Sequence, residues 1–187
     1  MTRNNNEHII LGIDPGTTIM GYAVIECRQK KVKLLSLGVI DLRAYDDHYL
    51  KIKHIFDRTQ SLIDQYHPDE LAIEAPFYGK NVQSMLKLGR AQGAAISAAL
   101  SRSMPIYEYA PKKIKMSITG NGSAQKEQVA NMLQRLLGYE NPPKNLDATD
   151  ALGAAMCHHY QLQNPLSGGN ATSWKNFIKN NPGKVKD

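Results

Sequence analysis

The sequence predicts an α/β fold in which one mixed, five-stranded sheet is flanked by helices. Apolar runs with the alternation of strands occupy residues 9–42, and shorter runs return at residues 70–75 and 104–109. Segments whose apolar residues recur at helical spacing separate these runs and fill most of residues 111–161. This order predicts three antiparallel strands that are extended by parallel strands through helical crossovers.

Composition limits the class of protein. The 187 residues are enough for one domain with a full core. The 23 Lys+Arg exceed the 17 Asp+Glu, and the net charge of +6 favours a polyanionic partner without identifying one. Two cysteines without metal-ligand spacing indicate a reducing compartment, so we expect a cytoplasmic protein. Neither a signal peptide nor a membrane-spanning run is recognisable, and we expect no membrane partner.

The sheet is predicted to begin with a hairpin. Residues 9–25 (IILGIDPGTTIMGYAVI) comprise an apolar strand that ends at Asp14, a Pro-Gly break and a second apolar run. Residues 30–42 alternate as a third strand, and the polar residues 1–7 are expected to be flexible. A carboxylate at the end of a buried strand needs compensation of its charge. The alternative is that Asp14 only begins an Asx turn.

A helix and a fourth strand are predicted next. Residues 49–66 place their apolar side chains on one helical face, at Tyr49, Ile52, Ile55, Phe56, Thr59, Leu62, Ile63 and Tyr66. His67-Pro68 stops this helix. Residues 70–75 (ELAIEA) form a short strand with Glu74 near its end, and Pro76 terminates it because proline has no N–H for the sheet.

The second helix, residues 81–101, is unusual because Gly89 and Gly93 lie in its interior among many alanines. An interior glycine costs about 1 kcal/mol relative to alanine, which indicates that another backbone approaches closely. That backbone belongs either to the sheet or to a second subunit. Residues 104–109 (MPIYEY) are predicted to form the fifth strand.

The second half of the chain is predicted to be helical. Pro111 suits the first turn of a short helix that reaches residue 118. Ser123 is expected to cap a helix that ends at residue 137 and has the core stripe Val129, Met132, Leu133, Leu136 and Leu137. A last helix covers residues 147–161. We expect one folded domain over residues 8–162 and a basic, disordered tail over residues 163–187.

Four acids are predicted to converge at one edge of the sheet. Asp14 and Glu74 end strands that become parallel neighbours if the first helix is their crossover, and open α/β sheets place sites at that edge. Asp147 and Asp150 share a face of the last helix, although acids at a helix N-terminus also simply favour the helix dipole. As a set, the four are typical of a Mg²⁺ site. Two such ions, about 3.5–4 Å apart, would clamp the attacking and leaving oxygens of a phosphoryl displacement.

The neighbouring residues fit a phosphodiester substrate. Phe77 and Lys80 follow Glu74 closely, and a ring beside the metal site can stack on an exposed base, with core packing as the alternative. Over residues 102–126, Glu108 alone opposes cations that would neutralise phosphates, namely Arg102, Lys112, Lys113, Lys115 and Lys126. For Lys112 and Lys113 we favour a solvated helix face.

Six segments occur in an order that resembles one known family. They are GIDPG with a trailing GY, IEAPFYGKN, SMLKLGRAQG, YEYAPKKIK, GNGSAQKEQV and DATDALGAA. Over residues 9–159 the chain resembles the crossover-junction endodeoxyribonucleases typified by bacterial RuvC, which have an RNase H-like fold. The resemblance implies a Mg²⁺-dependent homodimer that cuts Holliday junctions by paired symmetric nicks during recombination and repair.

The resemblance also implies roles for matching residues. The catalytic, metal-binding acids would be Asp14, Glu74, Asp147 and Asp150. They would hold two Mg²⁺ ions, which Mn²⁺ can replace. Phe77 matches an aromatic residue placed at the junction centre, Lys115 and Lys126 match basic residues near the cut phosphate, and Lys80 is a further DNA-binding candidate. A RuvA–RuvB branch-migration complex is implied as a partner.

Three other functions compete with this interpretation. GIDPGTT also resembles the first phosphate loop of actin-like ATPases and sugar kinases, but those proteins need two such domains and the chain has no second Asp-x-Gly-x-Thr turn. A junction-binding protein without catalysis would gain nothing from four acids that repel phosphates. A general RNase H remains, and only the resemblance around Phe77 and the glycine-rich helix favours the resolvase.

Overall fold

The computed structural model describes residues 7–29, 31–76, 81–141, 143 and 145–163. Within them lie five strands and five helices in the predicted order. The elements are β1 (Glu7–Asp14), β2 (Ile19–Arg28), β3 (Lys31–Asp41), α1 (His48–Tyr66), β4 (Glu70–Glu74), α2 (Val82–Leu100), β5 (Ile106–Tyr109), α3 (Pro111–Thr119), α4 (Lys126–Leu137) and α5 (Leu146–Gln163).

The strands form one mixed sheet with the order β3-β2-β1-β4-β5. β1 and β2 pair antiparallel as the predicted hairpin, and β2 pairs antiparallel with β3. β1 is parallel to β4, and β4 is parallel to β5, so the expected mixed topology is confirmed. The carboxyl ends of β1 and β4 therefore meet at one edge, where Asp14 and Glu74 are their last residues.

Alternating residues of the sheet serve two cores. Ile10 and Ala72 pack in the core formed with α3, α4 and α5, whereas Leu11 and Ile73 pack in the core formed with α1 and α2. Side chains at even positions of β1 and β4 therefore point toward α5. Both Asp14 and Glu74 occupy such positions, so the pleat aims them at the same helix.

Some predictions about individual residues of the helices were wrong. Tyr49 is 74% exposed because it lies in the first turn of α1, at the rim of the sheet, while Ile55 and Leu62 are buried. Ser123 does not cap α4: its backbone N–H bonds to Asn121 in a turn, and Gln125 begins the helix with a capping box. The core stripe of α4 is narrower than predicted, since Val129 and Leu133 are buried but Met132 and Leu136 are exposed.

The first strand and the last helix each extend one residue beyond the expected domain of residues 8–162. Glu7 begins β1, where it pairs with Arg28 across the hairpin and its carboxylate lies 3.0 Å from that guanidinium. Gln163 ends α5 and donates its side-chain amide to the carbonyl of Gln29. The expected tail and the rest of the N-terminus lie outside the described residues. Among the described helices, none combines the length and the apolar character needed to cross a membrane.

Two glycines of the hairpin allow α5 to lie directly on the sheet. A Cβ at Gly12 would be 2.2 Å from the backbone oxygen of Ala151, and one at Gly21 would be 1.8 Å from the backbone oxygen of Asp147. The glycines of α2 behave differently, because a Cβ at Gly89 or Gly93 would meet no described atom within 4 Å. Of the two backbones proposed to approach α2, the sheet is therefore excluded.

Gly12→Ala should destabilise the protein by roughly 1–3 kcal/mol, because the added methyl forces α5 away from β1. Urea unfolding followed by circular dichroism measures this change. Gln65→Ala, an exposed change on α1, is the control, and it should alter stability by no more than about 0.5 kcal/mol. Equal stability of Gly12→Ala and the unmodified protein would contradict the close packing of α5.

Candidate active site

Three of the predicted acids meet between β1 and the beginning of α5. Asp14, Asp147 and Asp150 each offer a carboxylate oxygen, and these oxygens lie within 4.8 Å of one another. Glu74 approaches from the next strand, close enough for its charge to raise the pKa of Asp14. The structure thus brings together all four acids that the sequence indicated.

Local structure sets the beginning of α5. The side-chain oxygen of Asn145 accepts a hydrogen bond from the backbone N–H of Asp147 at 3.2 Å, and its carbonyl accepts one from Ala148 at 3.3 Å. Gly21 then lets the carbonyl of Asp147 pass against β2. Asp147 and Asp150 are three residues apart and share one face of α5, and this face is directed toward the end of β1. The helix-dipole interpretation is compatible with this position, since Asp147 lies in the first turn.

Burial and mutual repulsion perturb the strand-end acids. Burial, followed by the charges of Glu74 and Asp150, raises the pKa of Asp14 to about 8, against an opposing effect of Lys126. Burial and the charge of Asp150 raise the pKa of Glu74 to about 7, while Lys126 and Lys115 oppose the increase. Such carboxylates are costly as free anions, and a bound cation would stabilise their charged forms.

Lys126 is the cation in closest contact with these acids among the described residues. Its Nζ donates to Oδ2 of Asp150 in a short contact and lies 3.9 Å from Oδ1 of Asp147. Burial lowers the pKa of Lys126, but its bond to Asp150 and the nearby carboxylates outweigh that effect and raise it. Lys126 is therefore a permanent positive charge at the first turn of α4.

A groove of about 480 Å³ opens beside the acids. Glu74 and Asp150 contribute to its lining together with residues of α3 and α4, among them Lys115 and Lys126. Carboxylates and ammonium groups in one groove can hold a phosphate between a metal and the lysines. This arrangement suits a phosphodiester backbone that lies along the groove.

The donor set fits a hard divalent cation. All four candidate ligands are carboxylates, and Mg²⁺ and Mn²⁺ prefer oxygen ligands. Asp147 keeps a third of its side chain exposed, so a cation and substrate can reach the cluster. The raised pKa values of Asp14 and Glu74 indicate that the nearby lysines do not fully compensate the charges of these two acids.

Other predicted cations are placed differently. Arg102 follows α2 at the opposite edge of the sheet, where it pairs with Asp64 at 2.8 Å, so the structure does not bring it to the acids. Lys112 and Lys113 are exposed on α3, as expected, although Lys112 also lines the groove. Phe77 and Lys80 lie outside the described residues.

Sequence reasoning missed the two glycines on which the site depends. Gly12 and Gly21 flank the loop that follows Asp14, at positions that face α5. A glycine within a strand signals close backbone approach, and that signal was present in both strands of the hairpin. The sequence pattern does not identify which element approaches.

A sequence model of the family described as "Crossover junction endodeoxyribonuclease RuvC" matches residues 10–158. A protein of that name from Christiangramia forsetii is 60% identical over 181 residues, which cover 97% of this chain and 94% of the relative. A relative of the same name from Bacteroides fragilis is 60% identical over 182 residues, covering 96% of this chain and 97% of the relative.

Solved structures agree with this match. The structure "T. thermophilus RuvC in complex with Holliday junction substrate" superposes with a TM-score of 0.78 at 29% identity, over 83% of this chain and 95% of that one. The RNase H-like fold implied by the sequence resemblance is thereby confirmed for the mixed five-stranded sheet and its flanking helices.

The pKa of Asp14 predicts how stability depends on pH in the presence of a chelator. The carboxyl keeps its proton to a pH of about 8 in the folded protein, whereas its ordinary pKa is 3.8, so the folded state binds more protons than the unfolded state between these values. Its contribution to stability is present at low pH and is lost as the pH rises toward 8. The free energy of unfolding of Asp14→Asn, relative to that of the unmodified protein, should therefore increase by at least about 1 kcal/mol from pH 5 to pH 8. One pKa unit corresponds to about 1.4 kcal/mol.

Chemical unfolding at several pH values measures that gain. Asp64→Asn is the control, because the hydrogen bond from Arg102 lowers the pKa of Asp64 and removes its titration from this range. Its stability relative to the unmodified protein should not change between pH 5 and 8. Parallel pH curves for Asp14→Asn and the unmodified protein would contradict the perturbation of Asp14.

Proposed function

The chain belongs to the crossover junction endodeoxyribonuclease RuvC family, and from this premise we propose how its own residues resolve Holliday junctions. It is an endonuclease that acts on four-way DNA junctions in homologous recombination and repair, by paired symmetric nicks. The observation that carries the proposal is the convergence of Asp14, Asp147 and Asp150, with Glu74 beside them, at the carboxyl ends of β1 and β4.

The four acids would hold the metal. Two Mg²⁺ ions for each site, with Mn²⁺ as a substitute, are the proposal that suits four carboxylates, of which Asp14, Asp147 and Asp150 offer oxygens within 4.8 Å of one another. When bound, the metal supplies positive charge against the cut phosphate and the oxygens that attack and leave. The protein fixes the ligands: the hydrogen-bonded ends of β1 and β4 hold Asp14 and Glu74, and α5 holds Asp147 and Asp150.

The lysines would position the DNA. Lys115 on α3 and Lys126 on α4 line the same groove as Glu74 and Asp150, so a phosphate bound in it would be within reach of ammonium groups. Lys126 already contacts Asp150 and would exchange part of that contact for the phosphate. Contacts of this kind bind the backbone without reading sequence.

Phe77 and Lys80 are proposed DNA contacts on the same edge. The chain beyond Glu74 is still tied to the sheet at Ala75, whose N–H donates to the carbonyl of Tyr109 at 2.9 Å. Phe77 follows Ala75 by two residues in the sequence, and its proposed partner is the DNA at the junction centre. A ring there would stack on a base at the open centre of the junction, a contact worth roughly 1–3 kcal/mol per base.

The outer face of α2 is the proposed dimer interface. Val82, Leu86 and Leu100 are 65%, 52% and 60% exposed, and Gly89 and Gly93 lie between them on the same helical stripe. Packing within the described chain does not require these glycines, because a Cβ at either would meet none of its atoms within 4 Å. A second copy of the helix, related by a two-fold axis, would use the space and give two sites for two nicks.

The family resemblance supplies two further proposals. A RuvA–RuvB branch-migration complex is the proposed partner that delivers the junction. A cytoplasmic location is proposed because the substrate is chromosomal DNA. No observation on this chain favours the ATPase or kinase alternative over the nuclease.

Asp14→Asn and Glu74→Gln should each abolish cleavage of a synthetic four-way junction in the presence of Mg²⁺. Each variant should bind the junction as tightly as the unmodified protein or more tightly, because one source of phosphate repulsion is removed. Gel assays of cleavage and, in Ca²⁺ or without metal, of binding measure the two properties separately.

Asp64→Asn, an acid at the opposite edge of the sheet, should cleave normally. Linear duplex and RNA–DNA hybrid substrates are the further controls, and cutting of the hybrid in preference to the junction would support the general RNase H instead. Cleavage near the unmodified rate by Asp14→Asn would exclude the proposed metal site.

Gly93→Leu should separate the dimer into folded monomers, because a Cβ at this position meets no described atom of its own chain within 4 Å, whereas a leucine would obstruct a closely packed partner helix. Sedimentation velocity gives the oligomeric state and circular dichroism confirms the fold. Lys87→Leu, an exposed change on another face of α2, should remain dimeric. A monomeric unmodified protein at micromolar concentration, with no dimer on junction DNA, would contradict the interface.

A further inference from the structure

The surface between α5 and the sheet carries a second cluster of ionisable residues at the edge opposite the acids. His8 lies near the beginning of β1, Glu70 begins β4, and His158 lies in the second half of α5. The even-numbered positions that aim Asp14 and Glu74 at α5 also aim His8 and Glu70 at it. On α5, His158 lies about 12 Å beyond Asp150, at 1.5 Å per residue.

These three side chains converge on one point. Nε2 of His8 lies 2.8 Å from Oε2 of Glu70, and Nε2 of His158 lies 2.6 Å from the same oxygen. The ligand atoms of all three fall within 4.8 Å of one another. A tetrahedral Zn²⁺ with bonds of about 2.0–2.2 Å separates its ligand atoms by about 3.4 Å, so each contact needs to lengthen by less than about 1 Å.

The nitrogens that point away from the cluster differ in their partners. Nδ1 of His8 lies 3.6 Å from a carboxylate oxygen of Asp69, which is too far for a hydrogen bond. Nδ1 of His158 lies 2.6 Å from the hydroxyl of Tyr109 and has a hydrogen-bond partner there. Metal-binding histidines usually have such a partner, which fixes the ring and its tautomer. The Tyr109 hydroxyl can accept from Nδ1–H as well as donate, so it suits the tautomer whose Nε2 is free to bind a metal.

The ring of His158 is held rigidly, whereas the cluster is open on one side. His158 is 1% exposed and stacks on Tyr107 with ring centroids 4.3 Å apart. Glu70 is 14% exposed and His8 is 35% exposed, so an ion could enter past His8. Burial lowers the pKa of His158 despite its bond to Glu70, and this favours the neutral imidazole that metals require.

We propose that His8, Glu70 and His158 form a second metal site that binds Zn²⁺, with water as the fourth ligand. Two imidazole nitrogens and one carboxylate oxygen are a donor set for borderline metals, in contrast with the all-oxygen set around Asp14. The ion would join β1, β4 and α5 at the end of the helix that lies farthest from the acids. The competing arrangement is a metal-free network in which both imidazoles donate to Glu70.

Zinc titration of the chelator-stripped, full-length protein tests the proposal. Excess Mg²⁺ is present so that the carboxylates around Asp14 do not compete for zinc, and a chromophoric chelator reports free Zn²⁺. The unmodified protein should bind one Zn²⁺ per chain, and His8→Gln should weaken this binding by at least about tenfold. Tyr109→Phe, which keeps the ring, should weaken it by roughly 10–100-fold.

Matched variants separate this site from other binding. His54→Gln removes a histidine outside the cluster and should bind zinc normally, as should Asp14→Asn. Glu70→Gln is a second ligand variant, in case His8→Gln unfolds, and circular dichroism checks the fold of each. X-ray absorption of the zinc-loaded protein should show two imidazoles. The metal-free network would be established instead if the unmodified protein bound no stoichiometric zinc, or if His8→Gln and Glu70→Gln bound zinc as tightly as the unmodified protein.

Discussion

The arrangement of this protein depends on the close contact between α5 and the two central strands. Gly12 and Gly21 remove the side chains that would separate them, and the helix presents mainly small residues such as Ala148 and Ala155 to the sheet. Interiors packed this tightly transmit even small shifts. The contact therefore sets where Asp147 and Asp150 lie relative to Asp14, and Mg²⁺ accepts little deviation from its preferred geometry.

Packing holds together charges that would otherwise separate. Burial and like charge raise the pKa of Asp14 and Glu74; among the described residues, Lys126 opposes this effect at both acids and Lys115 opposes it at Glu74. The hydrophobic cores on both faces of the sheet stabilise the fold enough to tolerate that repulsion. Repulsion among the acids consequently lowers the stability of the folded protein, and the same acids provide the charge that can bind a cation. Such a loss of stability is common at functional sites.

The two ends of the α5 interface differ in their donor chemistry although they share the same elements. At one edge the strands end in Asp14 and Glu74, and the ligands are all oxygens. At the other edge His8 and Glu70 stand where the strands begin, and His158 completes a set with nitrogen donors. Hard and borderline cations prefer these respective sets, so one sheet face could distinguish two metals by ligand type alone.

By itself, the sequence determined the order of strands and helices, because alternation, helical spacing and Pro or Gly breaks are local signals. From that order followed the expectation that β1 and β4 are parallel neighbours and that four acids meet at one edge of the sheet. It predicted Ser123 as a cap and Met132 as core incorrectly, because both depend on what surrounds α4. Only the tertiary structure decided that Gly12 and Gly21 receive α5, and that His8, Glu70 and His158 meet. Glu70 is separated from His8 by 62 residues and from His158 by 88. No local periodicity connects residues so far apart, and their contact follows from how the helix lies on the sheet.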